Sequence, residues 1–240
     1  AGLEGTGHHL MGKVFKKCGD EAKCAQPVHD AWTMTRLMFQ AGKFDGMSRL
    51  LHVETMKSIR PLLVLNTWPS MSMMSYPDLV RQSKSPHLAK LGRAAETANV
   101  SLRVIVLLRD VGAMLRDGCV HHKYAATCNK DVERLTYHGH QMLRSLTELS
   151  NKTRVFCLRY ERFAEDSEHV ERHLGPDGMA DTMQDEFHPH TDPRRDSFED
   201  IRAPLDAVQA SIVKYCEDHG LQEGKVKEKI GCRFLESLTV

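Results

Sequence analysis

The chain has 240 residues, with 33 Lys and Arg against 32 Asp and Glu and a formal net charge of +1 with histidine neutral. A balance this near zero argues against the basic surface of a nucleic-acid binder and against an acidic interaction tail. One α/β-sized domain over residues 1–240 with a full hydrophobic core is expected, and no apolar run has the length of a membrane span.

The first residues, Gly2-Leu3-Glu4-Gly5-Thr6-Gly7-His8-His9, keep the spacing of the phosphate-loop pattern G-x-x-x-x-G-K-[ST]. His8 stands at the lysine position and His9 at the hydroxyl position. Small residues at Gly5, Thr6 and Gly7 let successive backbone N–H groups turn toward one anion at a helix N-terminus. The lysine and hydroxyl that ordinarily hold a γ-phosphate and Mg²⁺ are absent. The loop is therefore suited to a phosphate group and poorly suited to metal-assisted triphosphate chemistry. A phosphate loop ordinarily follows a buried strand. That strand is expected to be truncated here, together with any targeting segment or anchor ahead of it.

Leu10 to Lys17 reads as the first helix, aimed at the loop. Residues 18–30 are polar and cysteine-bearing, which predicts a loop with a short strand near Val28. Apolar residues at helical spacing run from Met47 to Ser58, and Pro61 to Asn66 is a short buried-strand run. Trp68 to Pro77, rich in Met, Ser and Pro, has no period and predicts an irregular loop over the sheet edge. Leu88 to Asn99 predicts a helix, and Leu102 to Leu108, apolar on both faces, a central parallel strand. Helices follow over Asp110 to Gly118 and Asp131 to Leu149, with a third buried strand at Arg154 to Arg159. Residues 175–200, full of Pro, Asp, His and Gly, predict a long surface loop, and Ala203 to His219 a closing helix. Strands alternating with helices point to an α/β fold, a three-layer sandwich around a parallel sheet like that of P-loop NTPases.

Among the seven cysteines three pairs are close in sequence: Cys18 with Cys24, Cys119 with Cys128, and Cys216 with Cys232. Cys157 is left alone in an apolar run. Short disulfides with one buried thiol fit an oxidising compartment, as do the sequons at Asn99 and Asn151. Seven reduced thiols in a cytoplasmic protein are the alternative. No cysteine pair has the C-x-x-C spacing of a zinc site.

Ligands of open α/β sheets bind beyond the carboxyl ends of the strands. Gly5 to His9, Leu108-Arg109-Asp110 and Arg159-Tyr160-Glu161 all fall there. In that order and spacing they resemble the sulfotransferase superfamily, over residues 2 to about 165. The resemblance implies that the first loop binds the 5′-phosphosulfate of 3′-phosphoadenosine-5′-phosphosulfate (PAPS). It implies that Val104 to Asp110, matching V-I-x-L-x-R-[DN]-P, binds the 3′-phosphate through Arg109, and that Leu158 to Phe163 matches an R-Y-E-D-like strand end. Positioned N–H groups, a helix dipole and a cation can stabilise a transferring sulfuryl group without Mg²⁺, so no metal is expected. The planar fork of Arg109 suits a phosphate; its bland alternative is an ion pair with Asp110 or Glu161.

The chain departs from the family pattern at several points. Gly5 replaces the cation of the first loop, which leaves His8 and His9 as donors. Asp117 stands where the family has a 3′-phosphate-binding serine, and its carboxylate repels phosphate at close range. Val111 replaces the proline after Arg-Asp. Asn66-Thr67-Trp68-Pro69 lacks the histidine of the family's K-T-H-L-P-like stretch. The candidate base is His29, oriented by Asp30, with Glu4 next, and His8 is a candidate catalytic donor or, when protonated, cation. Glu161 is expected to be a cap or a sheet-edge partner. His121-His122, His138-x-His140 and His188-Pro-His190 offer nitrogens in pairs without further ligands at motif spacing.

The function so implied is sulfuryl transfer from PAPS to a hydroxyl or amine acceptor of undetermined class, with carbohydrate favoured if the protein resides in the Golgi lumen. Gly5, Thr6, Gly7, His8, His9, Arg109 and Asp117 are the candidate donor-binding residues. Residues 68–86 and 175–200 are the expected walls of the acceptor cleft. No nucleic acid or membrane contact is expected, and oligomeric state has no signature. The alternatives are a catalytically inert binding protein on the same fold and, with His8 in place of lysine against it, a P-loop nucleotide kinase.

Overall fold

The computed structural model describes residues 1–3, 5–20, 75–76, 88–97, 101–117, 128–188 and 198–219. Within them Gly2–Leu3 form β1 and His8–Asp20 α1, followed by β2 at Ser75–Tyr76 and α2 at Leu88–Thr97. Arg103–Leu108 form β3, Val111–Arg116 α3 and Cys128–Thr147 α4. Arg154–Arg159 form β4, which runs into a 3-10 turn at Tyr160–Arg162. Ser167–Leu174, Met179–Glu186 and Glu199–His219 are α5, α6 and α7. The strands pair in parallel in the order β2-β1-β3-β4, an open sheet of the expected α/β class.

The apolar run of β3 explains its central place. Side chains of a strand alternate between faces, so Val104, Val106 and Leu108 enter one core cluster while Ile105 and Leu107 enter the other. The first cluster is completed by Leu88 of α2, Met114 of α3, Met142 of α4 and Val208 of α7. The second is completed by Val14 of α1, Leu158 of β4, Val170 of α5 and Met183 of α6. Full burial of such side chains contributes about 1.5–3 kcal/mol each. A parallel strand used on both faces in this way needs no polar alternation, and β3 has none.

Several expectations are corrected. Gly2–Leu3 form a short strand ahead of the loop, where none was expected, with Gly2 opposite both Ser75 and Leu107. Trp68 to Pro77 is not wholly irregular, because Ser75–Tyr76 pair with β1. The surface loop expected over 175–200 contains α6, whose Met179, Ala180, Thr182 and Met183 are buried. Its start is signalled only by Gly175 and Gly178, both at positive φ, which end α5 and open α6. α7 begins at Glu199 rather than Ala203 and accommodates Pro204 within it. The expected helix at 47–58 and strand at 61–66 lie outside the described residues.

The cysteine reading is also corrected. Cys157 of β4, expected to be alone, forms a disulfide with Cys216 of α7, 59 residues away, so Cys216 does not pair with Cys232. Sequence proximity misled because α7 returns across the sheet and lies on β4. Cys18 is disulfide-bonded as well. The Tyr215 hydroxyl, next to this bridge, donates to the Leu146 carbonyl at 3.0 Å, which ties α7 to the end of α4.

Closing a loop of this length removes chain entropy from the unfolded state worth on the order of 4 kcal/mol. Reduction of the protein, or Cys216→Ser, is expected to lower the thermal midpoint by many degrees, as read by circular dichroism. An unchanged midpoint in Cys216→Ser would contradict the staple.

His173, at the end of α5, is only 5% exposed. Its ring lies 5.8 Å from that of Phe156, and its carbonyl accepts from Arg103 Nη1 at 2.8 Å. Burial pushes the imidazole down to about 4, opposed in part by the Val104 backbone and reinforced by Arg103 and Arg154. Because the folded value lies below the ordinary 6.5, the unfolded chain takes up the proton first as pH falls. The protein should therefore lose about 3 kcal/mol of stability between pH 6.5 and pH 4 on account of this group. Urea unfolding across that range checks it, and His173→Phe should flatten the loss.

Candidate functional site

β1 delivers the chain to the loop at the carboxyl edge of the sheet. Gly5 and Gly7 adopt φ of +85° and +105°, a region that side chains with a Cβ disfavour. Space is denied as well as conformation: a Cβ on Gly7 would lie 2.8 Å from Tyr160 Cδ2, and one on Gly5 3.1 Å from the Met114 carbonyl oxygen. Between them, Thr6 donates through its backbone N–H (3.2 Å) and its hydroxyl (2.7 Å) to the Leu3 carbonyl. Thr6, expected to bind ligand, thus commits both donors to closing the turn. Met11 N–H donates to the Gly7 carbonyl at 3.0 Å and begins α1. The first-turn amides of α1 consequently face the loop, where a helix carries its partial positive charge. His8 is half-buried in that first turn and His9 is exposed.

Arg109 follows the last residue of β3. Its side chain is 8% exposed, so its charge requires partners. Nη1 donates to the Gly5 carbonyl at 2.9 Å and to the Asp117 carboxylate, with which it forms an ion pair. The guanidinium carbon sits 4.3 Å above the Tyr160 ring, an arrangement in which the aromatic face adds attraction. The Gln209 side-chain amide of α7 donates to the Arg109 carbonyl. The partner is therefore neither Asp110 nor Glu161. Asp110 caps α3 by accepting from Ala113 N–H at 2.9 Å, while its own N–H donates to Glu161 Oε1 at 2.8 Å. Glu161 is thus a sheet-edge partner. Arg202 of α7 lies 3.6 Å from Asp110 and makes a two-bond contact with Asp206 at 2.7 and 3.0 Å.

Tyr160 ties the pieces together. Its ring borders Gly7 on one side and Arg109 on another, and meets Phe187 edge to face at 5.6 Å. Burial pushes the phenol up; Arg109 opposes this, and Asp117 and Glu161 add to it. The phenol is accordingly held neutral, a donor rather than a base.

The structure thus gathers Gly5, Thr6, Gly7, Arg109 and Asp117 into one contact network, with His8 and His9 at its rim. Glu4 and His29 lie outside the described residues. Sequence reasoning missed Tyr160 as the wall of the loop and Gln209 as the support of Arg109. Tyr160 had a signal in its place at the end of a strand; Gln209, one polar residue of a long helix, had none. Among the described residues no three His, Cys, Asp or Glu side chains gather as a metal site, and no helix is long and apolar enough to cross a membrane. Compared with protein-family models, curated proteins and solved structures, the chain has no match.

Gly7→Ala is expected to destabilise the protein by about 1–3 kcal/mol through backbone strain and to displace Tyr160. Combined with Tyr160→Ala, the same substitution should cost less, since only the conformational part remains. A double-mutant cycle by urea unfolding measures the difference, and strict additivity would sink the steric account.

Proposed function

We propose that this protein is a P-loop-like, three-layer α/β sulfotransferase, moving a sulfuryl group from PAPS to a hydroxyl or amine acceptor. The observation that carries this reading is the convergence, at one sheet edge, of a metal-poor anion loop at a helix N-terminus with a buried arginine ending the neighbouring strand. The order of those segments in the chain is that of the superfamily it resembles. The Gly5–Thr6–Gly7 geometry fits the 5′-phosphosulfate end of the donor. The 3′-phosphate end fits Arg109 only if Asp117 yields its place.

In this reading the backbone N–H groups of Gly5 and of residues 7 to 9 hold the phosphosulfate, while that of Thr6 closes the turn, and they offset charge as it develops on the leaving oxygen. His8 and His9 supply further donors in place of lysine. The base, for which His29 and Glu4 are the candidates, takes the acceptor proton as the acceptor oxygen or nitrogen attacks sulfur in line. The sulfur–oxygen bond to the 5′-phosphate breaks, and adenosine 3′,5′-bisphosphate leaves with the electron pair. Arg109, fixed through Gly5, keeps the loop and the donor in register.

A second reading is favoured by the Arg109–Asp117 ion pair and by Gly5 in place of a cation: a binding protein on the same fold without turnover. Calorimetric titration with adenosine 3′,5′-bisphosphate, and with ADP plus Mg²⁺ in parallel, separates the possibilities. Micromolar binding of the bisphosphate, weakened at least tenfold by Arg109→Ala, is expected. A preference for ADP with Mg²⁺ would overturn the proposal in favour of a kinase. Tight bisphosphate binding without sulfuryl transfer to any acceptor would favour the inert binder.

A further inference from the structure

Asp117 is the odd member of the Arg109 environment. The Gly5 carbonyl and the Tyr160 ring belong to the loop and the strand end, whereas Asp117 is the C-terminal cap of the six-residue helix α3. A carboxylate at a helix C-terminus is disfavoured by the carbonyl dipoles there, so the helix itself gives no reason for an acid at this place. Arg109 gives one. The pair spans α3 from the residue preceding its cap to its C-cap, eight positions apart. The two ends of the pair also differ in access: the Arg109 side chain is 8% exposed and that of Asp117 34%. Water and solutes therefore reach the pair from the carboxylate side.

We infer that Asp117 is a built-in anion that occupies Arg109 and competes with the second phosphate of the ligand. This rests on the donor-binding reading above and adds to it a selectivity device. The ligand binds its first phosphate at the loop without disturbing Asp117, while engagement of Arg109 by a second phosphate displaces the carboxylate into solvent. Arg109 keeps the Gly5 carbonyl and the Tyr160 ring throughout, so the loop remains formed while the partner changes. Apparent affinity for a bisphosphate is then reduced by the fraction of molecules in which the pair is closed, whereas affinity for a monophosphate is not.

The test compares adenosine 3′,5′-bisphosphate with adenosine 5′-monophosphate on the wild-type protein, Asp117→Asn and Asp117→Ser by calorimetry. Asn keeps the shape of the side chain without its charge, and Ser removes the bulk as well. Both variants are expected to bind the bisphosphate about tenfold more tightly, a change of about 1.4 kcal/mol, and the monophosphate unchanged. In the wild type, the ¹³C shift of the Asp117 carboxyl should move on titration with the bisphosphate and stay put with the monophosphate, a readout that does not depend on a variant folding. Wild-type binding of the bisphosphate with equal or weaker binding by the variants would overturn the competition and leave the donor site standing. Failure of all three proteins to bind either nucleotide, with normal melting, would overturn both.

Discussion

The site depends on one buried cation. Arg109 stands where four segments meet: the loop after β1, the end of β3, the turn after β4 and the helix α3. Its guanidinium bonds the Gly5 carbonyl, pairs with Asp117 and covers the Tyr160 ring, and its own carbonyl is held by Gln209 of α7. A guanidinium so far from water would be costly unpaired, and removing one partner of a buried pair exposes that cost. The loop conformation, the seat of Tyr160 and the start of α3 are therefore parts of one solution to the burial of a single charge. Glycine at positions 5 and 7 follows from the same crowding, since the loop passes against Met114 on one side and Tyr160 on the other.

α7 fixes this arrangement from outside. It is tied at its C-terminal half by the Cys157–Cys216 disulfide and the Tyr215–Leu146 bond, and along its N-terminal half by Gln209 and Arg202. Between these ties Leu205, Val208 and Ile212 are buried in the core. A covalent bridge to β4 and polar bonds to the end of β3 hold one helix against two adjacent strands. Its register along the sheet is thereby linked to the geometry of Arg109. The disulfide is thus part of the scaffold that positions the site.

How much of this was legible follows from where the information resides. β3, β4 and α2 were readable because their signal is local: an uninterrupted apolar run, or apolar spacing of helical period. The α/β class followed from their alternation. β2 was not readable, since Ser75 and Tyr76 form a strand only by pairing with β1, and nothing in the Met-Ser-Pro stretch around them encodes that partner. α6 was hidden by flanking Gly, Pro and Asp, although Met179 and Met183 stand at helical spacing. The cysteine pairing was misread because proximity in sequence stood in for proximity across the fold. In the site, the loop and Arg109 were visible as motif positions. The sign of Asp117 was seen as an obstacle to phosphate, but its partner could not be seen, since pairing across α3 depends on how that short helix leaves the strand.

The charge balance of the site has a further consequence. The loop lacks the lysine of a P-loop, so its own attraction for an anion comes from backbone N–H groups and the end of α1. A helix terminus contributes about 0.3–1 kcal/mol at an exposed site, whereas millimolar binding alone corresponds to about 4 kcal/mol. Hydrogen bonds to a charged group add about 1.5–3 kcal/mol each, and they act only at contact range. A full positive charge fixed against the loop is that of Arg109, and Asp117 cancels it at a distance. The network of loop, Arg109 and Asp117 is thus nearly neutral to an approaching ligand and offers little steering. Selectivity at such a site is decided after contact, by whether the ligand can supply an anion that Arg109 prefers to the one it already holds.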